Sequence, residues 1–458
     1  MPPERLSKFD AIFYYTDNRR AAMQVSVGFL VEGPIDFNRY LTWLAPRIDH
    51  MPTLRMMLKP FPLGLRLPAW MTPDVFDVSA HVTSHRLDPP GDEDQLKTQF
   101  TELVHQRLSF SRPLWHLHVI NGVEGDRAAL LLSAHHCIAD AEGVMEMFRI
   151  FFETTPIGSE PASRVSSAGL AREAHADRPL HGLRAMFSPK GHRRMAIMGR
   201  YMRTRGPRFP FTRPVSGRVN IAWRHIPLQD LRMIAKAFGG TVTDVILAAM
   251  GGAMDSYAAK HNVPVEGTYL RLQVPANVRL PNKYGELGNE LAMLPGVVPL
   301  GIKDPAERLQ HVAKYNRALK DLDIAPMIHG MMGAAFGMAT PPGQALLCRT
   351  MVSKPYLHLA RVFGLPPQEH ALVSSVVMPP VTYSIDGQQI TAILNFVACQ
   401  FNMGFVSSPL TYGDTVTLTL STDAEHLGDT ETIMDDAVSG VEELLSLAAD
   451  RAATTPGP

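Results

Sequence analysis

A mixed α/β architecture in two halves is predicted by three observations. Strand-period and helix-period segments alternate in both the early and the late chain, a Pro-, Ser-, Gly- and Arg-rich stretch without sustained strand pattern lies between them, and 458 residues suffice for two ordinary cores. Hydrophobic residues make up 45% and charged residues 19%, a globular composition on the apolar side. Lys+Arg and Asp+Glu are equal at 44 each, which speaks against a uniformly basic nucleic-acid binder. Three widely separated cysteines, Cys137, Cys348 and Cys399, make no disulfide framework and fit a reducing compartment. The first residues lack an apolar signal core, and no run approaches the roughly 18 apolar residues of a membrane span, so a cytoplasmic protein is expected.

The elements follow in order. Val25, Val27, Phe29 and Val31 alternate as a half-buried strand, Asp36 to Asp49 and Asp92 to Leu108 read as helices, and Trp115, Leu117 and Val119 alternate as a second strand. The run Ala128-Ala129-Leu130-Leu131-Leu132 reads as a buried strand leading into His135-His136-Cys137-Ile138-Ala139-Asp140. Val144, Met147, Phe148 and Phe151 then share one face of a helix over Glu142 to Glu153. Within the connection at 156–218, residues 181–213 contain no Asp or Glu but carry nine Arg or Lys interleaved with Met, Phe and Ile, a pattern suited to an anionic lipid surface or to the phosphates of coenzyme A. Later, Leu228 to Phe238 and Val242 to His261 look helical, with Thr241 or Thr243 as N-cap and Asp244 in the first turn. Tyr269 to Val274, Ile390 to Phe396 and Val416 to Leu420 look like strands, and Glu431 to Arg451 reads as an amphipathic helix. The domains expected are 1–155, a linker at 156–218, 219–452, and a tail at 453–458.

The motif at 135–140 carries the chemistry. Imidazole, with a pKa of about 6.5, takes a hydroxyl proton near neutrality, so His136 is the candidate general base for attack of an alcohol on a thioester. Adjacent side chains of an extended segment face opposite ways, so His135 is read as structural. Asp140 is read as the partner of a basic group or a cap, and Cys137 as an apolar filler.

Around this motif the chain resembles the bacterial wax ester synthase/diacylglycerol acyltransferase family, which has a Pro-Leu-Trp strand ahead of its HHxxxDG motif. The residues concerned are Pro113-Leu114-Trp115, Ser7-Lys8-Phe9-Asp10-Ala11, Pro68-Ala69-Trp70, Phe76 to Val82, Thr241 to Val245, Val274 to Arg279 and Gly288-Asn289. Ala141 stands where the family has Gly, Thr243 where it has Asn, and Ser374 to Pro380 departs from its Asn-Val-Pro-Gly-Pro segment. The resemblance implies two chloramphenicol acetyltransferase-like domains with the active site in a channel at their junction. It implies transfer of a long-chain acyl group from acyl-CoA, as co-substrate and without other cofactor or metal, to a diacylglycerol or fatty-alcohol hydroxyl. The catalytic set is then His136, His135, Asp140 and Asn289, with Asn289 donating to the oxyanion and Arg279 bracing Asp140. Substrate-binding candidates are Ser374, Ser375, Trp115, Met331 and Met332, the methionines as an adaptable acyl wall. Partners are acyl-CoA, a lipid alcohol and, through 181–213, a membrane or lipid-droplet surface on the inner face of the membrane; no nucleic acid is expected.

Two other readings remain open from sequence. His116, His118 and His136 form a three-histidine set of the kind that holds zinc. A catalytically degenerate lipid-binding or interaction protein, or a transferase with another acceptor, is compatible with Ala141 and the altered 374–380 segment.

Overall fold

The alternation at Val25 to Val31 folds as strand Gln24–Val31, which lies between Arg127–His135 and Gln388–Val397 and is antiparallel to both. It is the centre of a seven-stranded sheet in the order Val82–Arg86, Trp115–Val123, Arg127–His135, Gln24–Val31, Gln388–Val397, Val381–Ile385 and Glu153–Pro156. The computed structural model describes residues 5–157, 191–280, 287–365 and 368–454. Residues 381–397, from the far end of the sequence, thus build into the first sheet. Pairing partners this distant leave no local periodic signature.

A second large sheet runs Leu291–Pro299, Tyr269–Asn277, Ala371–Val373, Phe405–Ser407, Thr415–Asp423, Leu410–Tyr412 and Val376–Val377, with Val219–Pro227 also paired to Thr415–Asp423. Both parallel and antiparallel pairs occur. The two sheets touch where Thr419 Oγ1 donates to the Asn395 carbonyl at 2.6 Å, so the strand at 388–397 belongs to one sheet and leans on the other.

Helices cover the sheets where apolar periodicity requires. Helix Ala141–Phe151 buries Val144, Met147, Phe148 and Phe151. Helix Val242–Lys260 is buried almost all round, starts at a capping box between Thr241 and Asp244, and packs with the long helix Thr430–Thr454. Among the described residues no single helix is long and apolar enough to cross a membrane. Of the basic segment, residues 181–190 lie outside the described residues. The remainder forms helix Gly191–Arg203, followed by Phe209 and Phe211, which are fully buried and stack at 4.9 Å in the second core. Those two rings therefore pack the protein and do not face a bilayer.

The packing places three of the expected substrate-binding residues away from the cavity at His136. Trp115 is fully buried, donates from Nε1 to the Leu54 carbonyl at 2.7 Å and stacks with His81 at 4.7 Å, so it anchors the first core and does not line the cavity at His136. Met331 and Met332 lie on helix Ile324–Met338, with Met331 44% exposed, and neither borders the cavity at His136. Truncating Trp115→Ala is expected to cost about 3–5 kcal/mol, the usual loss for a buried Trp, read as a lower midpoint of urea unfolding.

Candidate active site

Strand Arg127–His135 delivers the two histidines to a turn, and the two-residue alternation of extended chain sends their rings apart. His135 Nδ1 accepts from the Cys137 amide at 3.1 Å, while Nε2 faces Asp17 at 3.6 Å and Phe110 packs edge-on at 5.1 Å. Burial pushes the Asp17 carboxyl up, but hydrogen bonds and charge from His135, with Met23 and Arg107, outweigh it and hold the group below its ordinary value. Cys137 is sealed in, and burial raises its thiol well above the ordinary range, which suits a filler and not a nucleophile.

His136 turns the other way. Its amide donates to the Met23 carbonyl at 2.7 Å, its ring stacks on Phe13 at 4.1 Å with an interplanar angle of 2°, and Nδ1 lies 2.8 Å from Asn289 Oδ1. The Asn289 amide orientation follows from its other contacts. Nδ2 is 2.8 Å from Asp10 Oδ1 and 2.7 Å from the His136 carbonyl, both acceptors, so the NH2 group must point there and Oδ1 must face the ring. Nδ1 of His136 is therefore the protonated nitrogen, and Nε2 carries the free lone pair. Desolvation lowers the His136 pKa below 6.5, partly opposed by the charge of Asp140 and the bond to Asn289.

This arrangement corrects one role. Asn289, expected as an oxyanion donor, directs its NH2 at Asp10 and the His136 carbonyl, so its side chain orients the imidazole instead. Sequence reasoning missed the role of Asp10. Its carboxyl is buried, accepts from the Asn289 backbone at 2.9 Å and from Ser7 Oγ at 2.5 Å, and burial raises its pKa. An acidic residue in the first turn of helix Asp10–Thr16 looks like ordinary helix-start chemistry, which is why the sequence did not single it out.

Asp140 sits at the N-cap of helix Ala141–Phe151 and accepts from the Gly143 amide at 3.0 Å and the Glu290 amide at 2.9 Å. Arg279 Nη2 lies 2.9 Å from both carboxylate oxygens and 2.8 Å from the Gly288 carbonyl. Gly288 adopts φ +107°, a conformation that side chains resist, and its amide and carbonyl bond Ile138 and Asp140 across the bridge to Ala139. The structure thus brings His136, Asp140, Arg279 and Asn289 together from both halves. Ala141 is the first helical residue and its methyl borders the cavity; the turn requires no positive φ there.

The His136 ring borders a cavity holding about 100 Å³ of free space between the two sheets. Its walls are largely apolar, from Phe13, Val144, Phe148, Leu291 and Met293, with the polar groups of Ser374, Asn395 and Gln400. Ser375 is not among the lining residues; its hydroxyl accepts from Thr243 Oγ1 at 3.4 Å. Asn395 and Gln400 were not foreseen, although a carboxamide inside the apolar strand run Ile393 to Val397 was a usable signal. His116 and His118 do share a strand face, but their rings meet Thr83 at 2.9 Å and His85 at 3.0 Å rather than His136. Desolvation takes them to pKa values of about 4 and about 3.

Residues 6–246 match the model of the wax ester synthase/diacylglycerol acyltransferase catalytic domain, and residues 287–445 match the C-terminal domain of the same family. A putative diacylglycerol O-acyltransferase of Mycobacterium bovis is 26% identical over 321 residues, covering 67% of this chain and 69% of the relative. Another from Mycobacterium tuberculosis is 26% identical over 358 residues, covering 71% and 75%. Among solved structures, the wax ester synthase/diacylglycerol acyltransferase from Marinobacter aquaeolei VT8 aligns with TM-score 0.67 at 17% identity, covering 98% of this chain and 100% of that one. The first condensation domain of the calcium-dependent antibiotic synthetase aligns with TM-score 0.61 at 13% identity, covering 98% and 96%. These neighbours share the chloramphenicol acetyltransferase-like fold, which is the fold of this chain. With both family models matched in order along the chain, the protein belongs to the wax ester synthase/diacylglycerol acyltransferase family and is an acyltransferase.

Proposed function

We propose that the protein transfers a long-chain acyl group from acyl-CoA to the hydroxyl of a lipid alcohol, diacylglycerol or a fatty alcohol, with His136 as general base. The observation that carries this reading is the His136 ring, held with Nδ1 protonated and bordering a mainly apolar cavity between the two sheets. The acceptor hydroxyl gives its proton to Nε2 as its oxygen attacks the thioester carbon. The tetrahedral intermediate then expels the coenzyme thiolate, which takes the proton back from the imidazolium. Ser374, Asn395 and Gln400 share the cavity and are the proposed donors to the oxyanion. His135 is a structural neighbour in this scheme. Asp10 and Asn289 are positioning residues: they hold the ring and its tautomer, while Arg279 and Asp140 hold the turn. The apolar walls suit an acyl chain, and acyl-CoA is the co-substrate with no further cofactor assigned.

The division proposed is 1–155 and 219–452 joined by 156–218, with residues 381–397 returning to the first sheet. Peripheral contact with the inner face of a membrane, and a place in triacylglycerol or wax ester synthesis, belong to the same proposal.

Thiol release from long-chain acyl-CoA in the presence of mixed fatty alcohols and diacylglycerol tests the reading. His136→Ala is expected to lose on the order of 10²–10⁴ in kcat, the span of general-base catalysis, with substrate binding retained. Thiol release equal to wild type would sink the proposal. Because desolvation holds the His136 pKa below 6.5, its base form persists into mildly acidic solution. The acid limb of the kcat profile should therefore lie at lower pH than an ordinary histidine would give, as a pH profile of kcat will show. Asn289→Ala frees the ring and is expected to lower kcat by about a hundredfold with little change in KM. Arg279→Met leaves the buried Asp140 carboxylate without this cation and is expected to cost about 3–5 kcal/mol of stability, seen in urea unfolding.

A further inference from the structure

Helices in water normally turn their larger apolar residues inward. Two consecutive helices here leave most of theirs outside. Helix Pro341–Met351 buries Gln344, Ala345 and Cys348 while Leu346 and Leu347 stand 70% and 48% exposed. Helix Lys354–Phe363 buries Leu357 and Ala360 while Leu359, Val362 and Phe363 stand 50%, 69% and 70% exposed, at the i, i+3, i+4 spacing of one face. The preceding helix Ile324–Met338 ends in Met338, 76% exposed. Clustered exposure of this kind marks an interaction surface, whereas isolated exposed apolar residues do not.

Charge narrows the partner. Residues 324–365 contain no Asp or Glu, and Arg349, Lys354 and Arg361 are exposed. The acid-free residues 191–213 pack back onto this region: Ile197 and Met198 cluster with Ile324 and Met327. Exposed Arg208 and Arg213 approach Arg361, whose pKa is lowered by desolvation and then by their like charges. Large exposed apolar side chains and exposed cations therefore occur together on the acid-free stretch 338–363. A second copy of the chain meeting this face through a two-fold contact would oppose like charges. An anionic lipid surface neutralises them while burying the apolar groups. The helices, at 11 and 10 residues, fall short of a span of about 20 and suit the plane of the headgroup boundary.

The position relative to the site fits delivery of a lipid. An open cleft of about 380 Å³ is lined by Arg349, Val352 and Ser353 where these two helices join, and also by Tyr14. Tyr14 follows Phe13, whose ring stacks on His136.

We propose that the surface formed by helices 341–351 and 354–363 seats on an anionic phospholipid membrane, with Leu346, Leu347, Leu359, Val362 and Phe363 inserted and Arg208, Arg213 and Arg361 over the phosphates. The proposal deepens the lipid acyltransferase reading by naming the surface from which a membrane-dissolved acceptor enters.

The test is co-flotation of the full chain with vesicles of phosphatidylcholine alone and of phosphatidylcholine mixed with phosphatidylglycerol. Wild type should bind the anionic vesicles more tightly, and added salt should weaken that binding. Leu347→Glu combined with Phe363→Glu should weaken binding at least about tenfold. The combination Arg208→Gln, Arg213→Gln and Arg361→Gln should weaken it on the order of a hundredfold on anionic vesicles and far less on neutral ones. All variants should keep wild-type thiol release with a water-soluble short-chain alcohol, while turnover of vesicle-borne diacylglycerol falls with binding. Unchanged flotation of both variants, absence of wild-type binding, or a wild-type dimer that the substitutions convert to monomer would overturn the surface assignment. Loss of the soluble-alcohol reaction in wild type would count against the acyltransferase reading instead, so the two failures are separable.

Discussion

The buried ion pair between Asp140 and Arg279 is the constraint on which the site depends. Asp140 comes from the turn after the first sheet's buried strand and Arg279 from just beyond the strand Tyr269–Asn277 of the second. Removing two charges from water is costly, and attraction offsets that cost only when the remaining polar positions are also filled. Here the carboxylate accepts from Gly143, Glu290 and Arg279, and the guanidinium also reaches the Gly288 carbonyl. Gly143 belongs to the helix that Asp140 caps, and Gly288 and Glu290 lead into strand Leu291–Pro299, so the pair joins the start of helix Ala141–Phe151 to the second sheet. The active-site turn is thereby held from both sides.

A chain of polar groups extends from that clamp to the His136 imidazole. Asp10 receives the Asn289 amide, Asn289 Oδ1 receives the His136 Nδ1 proton, and the Phe13 ring fixes the imidazole plane. A neutral amide in the middle of this chain orients the ring without placing a carboxylate against it. The imidazole consequently stays less basic than an ordinary histidine, as desolvation dictates. In the proposed reaction such a base would accept the proton of the attacking hydroxyl and return it readily to the departing thiolate.

The same molecule manages apolar surface in two opposite ways. At 141–151 and 242–260 the periodic apolar residues are buried and hold the sheets. Along 341–363 Gln344, Ala345, Cys348, Leu357 and Ala360 turn inward while Leu346, Leu347, Leu359, Val362 and Phe363 stand outside. The first use supplies stability and the cavity. The second presents a surface that water alone does not explain.

Local chemistry was legible from the residues themselves. Strand alternation around Val25, the apolar face of 141–151, the capping box at Thr241 and the opposed histidines all depend on neighbours within a few positions, where backbone periodicity governs. The family motifs, read in order, carried the family and the fold class and singled out His136 as the candidate base. Tertiary structure alone decided that residues 381–397 complete the first sheet, that Trp115 is core, that Met331 faces outward, and that Asn289 turns its oxygen and not its NH2 toward the imidazole. The reason is physical: hydrogen-bond direction and burial are set by partners brought close only on folding, and a sequence specifies those partners collectively, without marking them residue by residue.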